Sequence, residues 1–311
     1  MYDSVFMRLT QNEVQGVDFL AETPCYLEDV AEHVFSDGLV VLTGHLGNLK
    51  VIVNRYQVKV KDGSLCKYYM GNNFKAMGRK DTQRAIEKLS DTLHLPMSLA
   101  AVTRLDVAQN FCTKHPPEVY LNHLGLLKYA TRLQEPNGVY YSQTGGRLAF
   151  YDKNREQKNK REVIPELYQD RNVLRYEQRY TQRLSKQLGV PEVTGSLLYD
   201  NAFYVDVINR WRDTYRQIQK INDVTINYKT MPRIKDLSNF GLLIYSESRG
   251  GLENVIAEIK EAQKRGELTT KQAFDHKKAF INAYQSGVGT TPNDAIAELD
   301  KKVNEAVRLY R

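Results

Sequence analysis

The chain has 311 residues, a formal charge of +7 and three cysteines, Cys25, Cys66 and Cys112, far apart and with no CxxC pair. That spacing argues against a disulfide framework or a structural zinc site, and a chain this long builds its core without such staples. Met1 to Leu9 lacks the basic start and apolar block of a signal peptide, and no apolar run approaches the roughly 20 residues of a membrane-spanning helix, so a soluble, cytoplasmic protein with no membrane partner is expected.

Taken in chain order, "YDSVFMRL" alternates apolar and polar residues as a strand does. After a polar connection, residues 38–71 offer β-branched runs separated by Gly-Asn and Asp-Gly turn signals, which predicts an antiparallel meander. "DTQRAIEKLSDTLHL" has helical spacing, with Asp81 expected as its N-cap. "LAAVTRLDVAQNF" reads as a strand and "PPEVYLNHLGLL" as a short helix. "LKYATRLQEPNGVYYSQTGGRLAFYDK" follows as strands joined at Pro-Asn-Gly and Gly-Gly turns. Lys153 to Glu166 is highly charged, the pattern of a solvated loop or an exposed helix face. "VLRYEQRYTQRLSKQLG" predicts a strand running into a helix stopped by Gly189. Beyond Pro191 the periodicity turns helical, except over Thr225 to Tyr245, which fits no template well. The expected fold is α+β: a mainly antiparallel twisted sheet with helices on one face, followed by a helical C-terminal region. The corresponding domains are 1–195 and 196–311.

The excess of Lys and Arg favours a polyanionic partner, because cations clustered on phosphates release counterions. The 20 tyrosines suit stacking on unpaired bases, and strand packing accounts for most of them equally well. Three strand segments gather charge on one face. Arg104 and Asp106 lie opposite Leu105 and Val107. Arg147, Tyr151 and Lys153 lie opposite Leu148 and Phe150. Arg175, Glu177 and Arg179 lie opposite Leu174 and Tyr176. Alone, each segment reads as cross-strand ion pairing, and Tyr151 as ordinary half-buried packing. Converged, they suit phosphoryl transfer to tyrosine: acidic oxygens for a hard divalent cation, cations for charge in the transition state, and a phenol as nucleophile.

Together and in this order, "TRLDVAQNF", "LAFYDKNRE" and "LRYEQRYTQRLSKQLGVP" resemble the filamentous-phage gene II replication endonuclease family and, more distantly, staphylococcal plasmid rolling-circle initiators. "MYDSVFMRL" also looks like the start of the phage proteins, and the likeness covers roughly residues 1–195. The resemblance implies a site-specific DNA endonuclease and strand transferase that leaves a 3′-OH primer and a 5′-phosphotyrosine link. It places Tyr151 on the nucleophile position and Asp106, Glu156 and Glu177 on acidic positions that would bind Mg²⁺ or Mn²⁺. Arg104, Arg175 and Lys153 fall on basic positions facing phosphate. Glu156 lies past the predicted strand end, where only a turn or a new helix brings it back.

Implied partners are origin DNA, single-stranded or extruded at the nick, and the host helicase and polymerase, with a homodimer open. The wider superfamily carries two histidines around one hydrophobic residue. His33, His45, His94, His115, His123 and His276 form no such pair, which leaves any metal largely to carboxylates; His115 and His123 follow the Asp106 strand closely enough to be extra ligands, but read more readily as satisfied surface or helix histidines. A second tyrosine for strand closure, Tyr140 or Tyr141, stays open. The competing readings are a non-enzymatic origin-binding or packaging protein and, ranked lower, a tyrosine recombinase.

Overall fold

In a computed structural model that describes residues 1–221, 223–224, 231, 233–286, 290–291 and 293–310, ten strands form one antiparallel sheet. They are β1 Tyr2–Thr10, β2 Glu28–Val34, β3 Val40–Leu46, β4 Leu49–Asn54, β5 Gln57–Lys61, β6 Ala101–Thr113, β7 Thr131–Glu135, β8 Gly138–Gln143, β9 Gly146–Asp152 and β10 Asn172–Tyr180. Their spatial order is β2-β3-β4-β5-β1-β6-β10-β9-β8-β7. The fold is α+β, with a C-terminal region of helices. The expected meander is β3-β4-β5, turning at Gly47-Asn48 and ending before Asp62-Gly63. Glu28–Val34, read from sequence as polar connection, is instead an edge strand exposed along its length. Its charges leave no apolar alternation to read, and such charges also keep an open edge from pairing with other chains.

The described residues divide into two compact units, one of residues 1–121, 127–217 and 300–311 and the other of 122–126 and 218–299. In the first, helix Asn201–Gln217 covers the apolar face of the sheet. The Trp211 ring stacks on Tyr176 at 4.6 Å, and Tyr176 stacks on Phe150 at 4.3 Å with planes 3° apart. The Tyr176 hydroxyl donates to the Trp211 carbonyl at 2.9 Å, so the polar tip of a buried ring is satisfied. This column fixes the phase of β9 and β10. Gly146 lets β9 approach β10 closely, since a Cβ there would stand 2.3 Å from the Arg179 carbonyl oxygen.

Helix Arg79–Leu93 matches the predicted helix, but Asp81 is not its N-cap. Gly78 is, and the Asp81 carboxylate reaches back to accept the Gly78 N–H at 3.0 Å. Gly189 ends helix Leu184–Leu188 in the left-handed conformation, as expected. In the second unit, helices Ile234–Ser248, Leu252–Lys264 and Thr270–Gln285 follow in sequence, with Val255, Ile259 and Ala273 at a small core. Of the stretch that fits no sequence template, residues 225–230 and 232 lie outside the described residues, and Ile234 to Tyr245 is helical. No helix among the described residues is long and apolar enough to cross a membrane.

Candidate active site

Across the central ladder Arg175 pairs with Tyr151 and Asn110, Glu177 with Ala149 and Ala108, and Arg179 with Arg147 and Asp106. Paired residues in an antiparallel ladder point to the same side, so the three charged faces form one. Ala108 and Ala149 flank Glu177, which leaves its carboxylate without bulky cross-strand neighbours. β1 adds a fourth contribution. Tyr2 pairs with Val107 and Val5 with Leu105, so Asp3 and Ser4 together oppose Asp106 in a β-bulge. The bulge sets Asp3 among the charged residues.

The side chains meet in a cleft of about 400 Å³ whose lining includes Asp106, Tyr151, Lys153, Glu177, Arg104 and Arg179. The Tyr151 hydroxyl donates to Glu177 Oε2 at 3.1 Å. Glu177 also accepts from Arg175 at 3.2 Å and from Arg179 at 2.5 Å. Arg104 grips Asp106 in a fork, with Nε 2.8 Å from Oδ1 and Nη2 2.6 Å from Oδ2. Arg179 Nε stands 3.9 Å from the same carboxylate. Arg175 is buried beneath, bonded to Asp3, to Asn110 Oδ1 at 3.1 Å and to the Asn73 carbonyl at 3.3 Å. Asp3 in turn accepts from Ser64 and Asn73.

Burial and charge set the protonation states. Burial, with the Glu177 charge beside it, holds the Tyr151 phenol well above its ordinary value. Asp106 is pushed up to about 6, first by burial and then by Glu177, against the pull of Arg104. Lys153 falls to about 8 through burial and the Arg175 charge, although Glu156 opposes this. Burial would raise Glu156, but Lys153 and its hydrogen bonds bring it down to about 2. Glu177 is lowered because Arg175 and Arg179 outweigh its burial.

A family model for gene II-type replication-associated proteins, N-terminal part, matches residues 1–211, a span that holds all ten strands and every cleft residue named above. The chain belongs to this family. Its role is therefore that of a rolling-circle replication initiator of the filamentous-phage gene II type. None of the curated proteins compared with it matches at a significant level.

In this initiator the structure brings Tyr151, Asp106, Glu177, Arg104 and Lys153 to one cleft, with Arg175 behind its wall rather than in its lining. Glu156 reaches the same cleft by way of helix Lys153–Asn159, which starts directly after β9 and is capped by Asp152. There it is held by Lys153 at 2.7 Å and Lys160 at 2.5 Å. Lys153 itself is buried at the first turn of that helix, so the charged stretch is not wholly solvated. Among the described residues no three His, Cys, Asp or Glu side chains form a group that would hold a metal ion. Asp106 and Glu177 nevertheless fit a hard divalent cation in one respect: they are two carboxylates buried side by side, and burial, with the Glu177 charge added to it, raises the Asp106 pKa. Glu156 fits less well, being engaged by two lysines.

Two residues went unread in the sequence. Asp3 alternates onto the apolar side of "YDSVFMRL" unless a bulge intervenes, and Asn110 carries no charge to draw attention. Tyr140 pairs with Ala149 and shares the cleft face, whereas Tyr141 is buried in the core, edge-on to Phe150. Neither His115 nor His123 lines the cleft.

Proposed function

We propose that this initiator is a site-specific DNA nickase and strand transferase in which Tyr151 attacks the scissile phosphate. The observation that carries the reading is the Tyr151 hydroxyl held 3.1 Å from Glu177 in a cleft lined by Arg104, Arg179 and Lys153. A phenol with a raised pKa stays protonated until a phosphate and its cations arrive, so the site attacks only with substrate in place. The phosphate oxygens meet Arg104, Arg179 and Lys153, which exchange carboxylate partners for phosphate. Asp106 and Glu177 would hold Mg²⁺ or Mn²⁺, which when bound supplies Lewis-acid polarisation of the phosphate.

The Tyr151 Oη–P bond forms as the P–O3′ bond breaks. The phenolic proton has Glu177 Oε2 as its acceptor. Lys153, lowered to about 8, is the proton donor on hand for the departing O3′. The products are a 3′-OH and a 5′-phosphotyrosine, and attack by a 3′-OH on that linkage transfers or reseals the strand. Arg175 positions Glu177 and Asp3 from behind.

Supercoiled plasmid carrying the cognate origin, incubated with protein and Mg²⁺ or Mn²⁺, should yield nicked circles joined to protein. Tyr151→Phe should lower nicking by at least about a thousandfold while leaving origin binding in place. Nicking by Tyr151→Phe at the parental rate would rule this mechanism out. Binding without any nick by the parent would favour the non-enzymatic origin-binding reading.

A further inference from the structure

The charged face of the sheet does not stop at the catalytic cleft. Phe6 pairs with Arg104 and both line that cleft, so the same face continues across β1. Two residues on from Phe6, Arg8 stands directly opposite Lys59 of β5, and Lys61, two on from Lys59, stands opposite Lys50 of β4. Lys50 in turn faces His45 of β3, where Glu28 of the edge strand closes the row. From Arg104 to His45 the row crosses successive strands over roughly 19 Å.

This half of the sheet carries charge of one sign. β3, β4 and β5 contain no Asp or Glu. Of Arg8, Lys50, Lys59 and Lys61, only Lys61 has an ion-pair partner among the described residues, Asp62 at 3.4 Å, although Glu13 lies near enough to Arg8 to feel its charge. Like charges directly opposite one another weaken a sheet, and here two such pairs, Arg8 with Lys59 and Lys50 with Lys61, share one face. Protection of a sheet edge does not account for them, because β1, β4 and β5 are interior strands. Val51, Val53, Val58 and Val60 are buried on the other face, which fixes the lysines outward.

We propose that this row of cations is a track for single-stranded DNA, carrying the nucleotides that adjoin the scissile phosphate out of the cleft over β1, β5 and β4. The proposal rests on the nicking reading above for the point at which the strand enters. A cleft of about 400 Å³ is the size of a small-ligand site, so it admits one unpaired strand and not a duplex. Phosphates of that strand displace counterions from the opposed cations and relieve their repulsion, without regard to base identity.

The test uses the full chain without divalent metal and single-stranded oligonucleotides spanning the nick site of the cognate origin, with dissociation constants measured over a range of salt concentrations. Lengthening one flank from about two nucleotides to about ten should tighten binding by the parent about tenfold or more and steepen its salt dependence. Lys50→Gln, Lys59→Gln and Lys61→Gln together should remove that gain and lower the slope of log K against log salt by about 2, at roughly 0.7 per cation. Lys50→Arg, Lys59→Arg and Lys61→Arg together keep the charge and should retain both. Neutralising Lys80, Arg84 and Lys88, exposed on helix Arg79–Leu93, should leave the flank gain in place. No gain from either flank, a gain retained in the glutamine variant, or an equal loss in the helix control would overturn the track. Nicking by the parent with Mn²⁺ is read separately. Nicked product without a flank gain would overturn the track alone, and a flank gain without nicked product would overturn the nicking reading and leave the track standing.

Discussion

The two faces of β9 and β10 are built from alternate residues of the same strands, yet they obey different energetics. On one face Phe150, Tyr176 and Trp211 stack as an apolar column. On the other, Arg175 and Glu177 are equally removed from water but carry charge, beside the half-buried phenol of Tyr151. Burial of the first face stabilises the fold directly. Burial of the second costs desolvation that ion pairs return only in part, and a hydrophobic replacement would often be as stable. On the proposed mechanism, the charged groups around the Tyr151 hydroxyl, Arg104, Asp106, Lys153, Glu177 and Arg179 among them, serve chemistry rather than stability.

The largest effects should separate the faces. Trp211→Ala should lower stability by roughly 3–5 kcal/mol through lost packing, measured by denaturant unfolding, while nicking per folded molecule changes little. Arg175→Ala should cost a similar amount, roughly 3–5 kcal/mol, for the opposite reason: Asp3 and Glu177 lose the cation that compensates them. The comparison sharpens when the whole network is replaced. Asp3→Leu with Arg175→Met and Glu177→Leu should recover much of the stability lost in Arg175→Ala and show no nicking. A triple variant less stable than Arg175→Ala would mean that the charged face stabilises the fold after all.

A middling effect is expected from pH. Asp106 is raised from 3.8 to about 6, so it is neutral below that value and unable to serve as an anionic ligand. Nicking should fall about tenfold per pH unit below about 6, and Asp106→Asn should be slow and flat across the range. For stability the sign is reversed. A carboxyl with a raised folded-state pKa favours the folded state fully below about 3.8, and that contribution disappears as pH rises through about 6, so Asp106→Asn should lack this decline. The smallest effect is Tyr176→Phe, which keeps the stacked ring and removes its bond to the Trp211 carbonyl. It should cost about 1 kcal/mol and leave nicking unchanged.

Much of this contrast is legible in the sequence because strand alternation is strict in β9 and β10, so Tyr151, Arg175 and Glu177 can be assigned a face without coordinates. Convergence is not legible, since it depends on register. Nothing local says that Arg179 will stand opposite both Arg147 and Asp106. Asp3 escapes for a different reason, because one extra residue in β1 reverses the phase on which alternation depends. Glu156 shows the limit at an element boundary: alternation stops at Asp152, and helix spacing then brings Lys153 and Glu156 together three residues apart. The edge strand Glu28–Val34 is hidden because neither of its faces is apolar.

The identity of the nucleophile decides the mechanism. Trapping the parent protein on origin DNA, digesting both, and locating the residual nucleotide by mass spectrometry tests it most directly. The prediction is a phosphonucleotide on Tyr151, with none recovered from Tyr151→Phe. A phosphonucleotide on Tyr140 or any other residue, with Tyr151 unmodified, would contradict it.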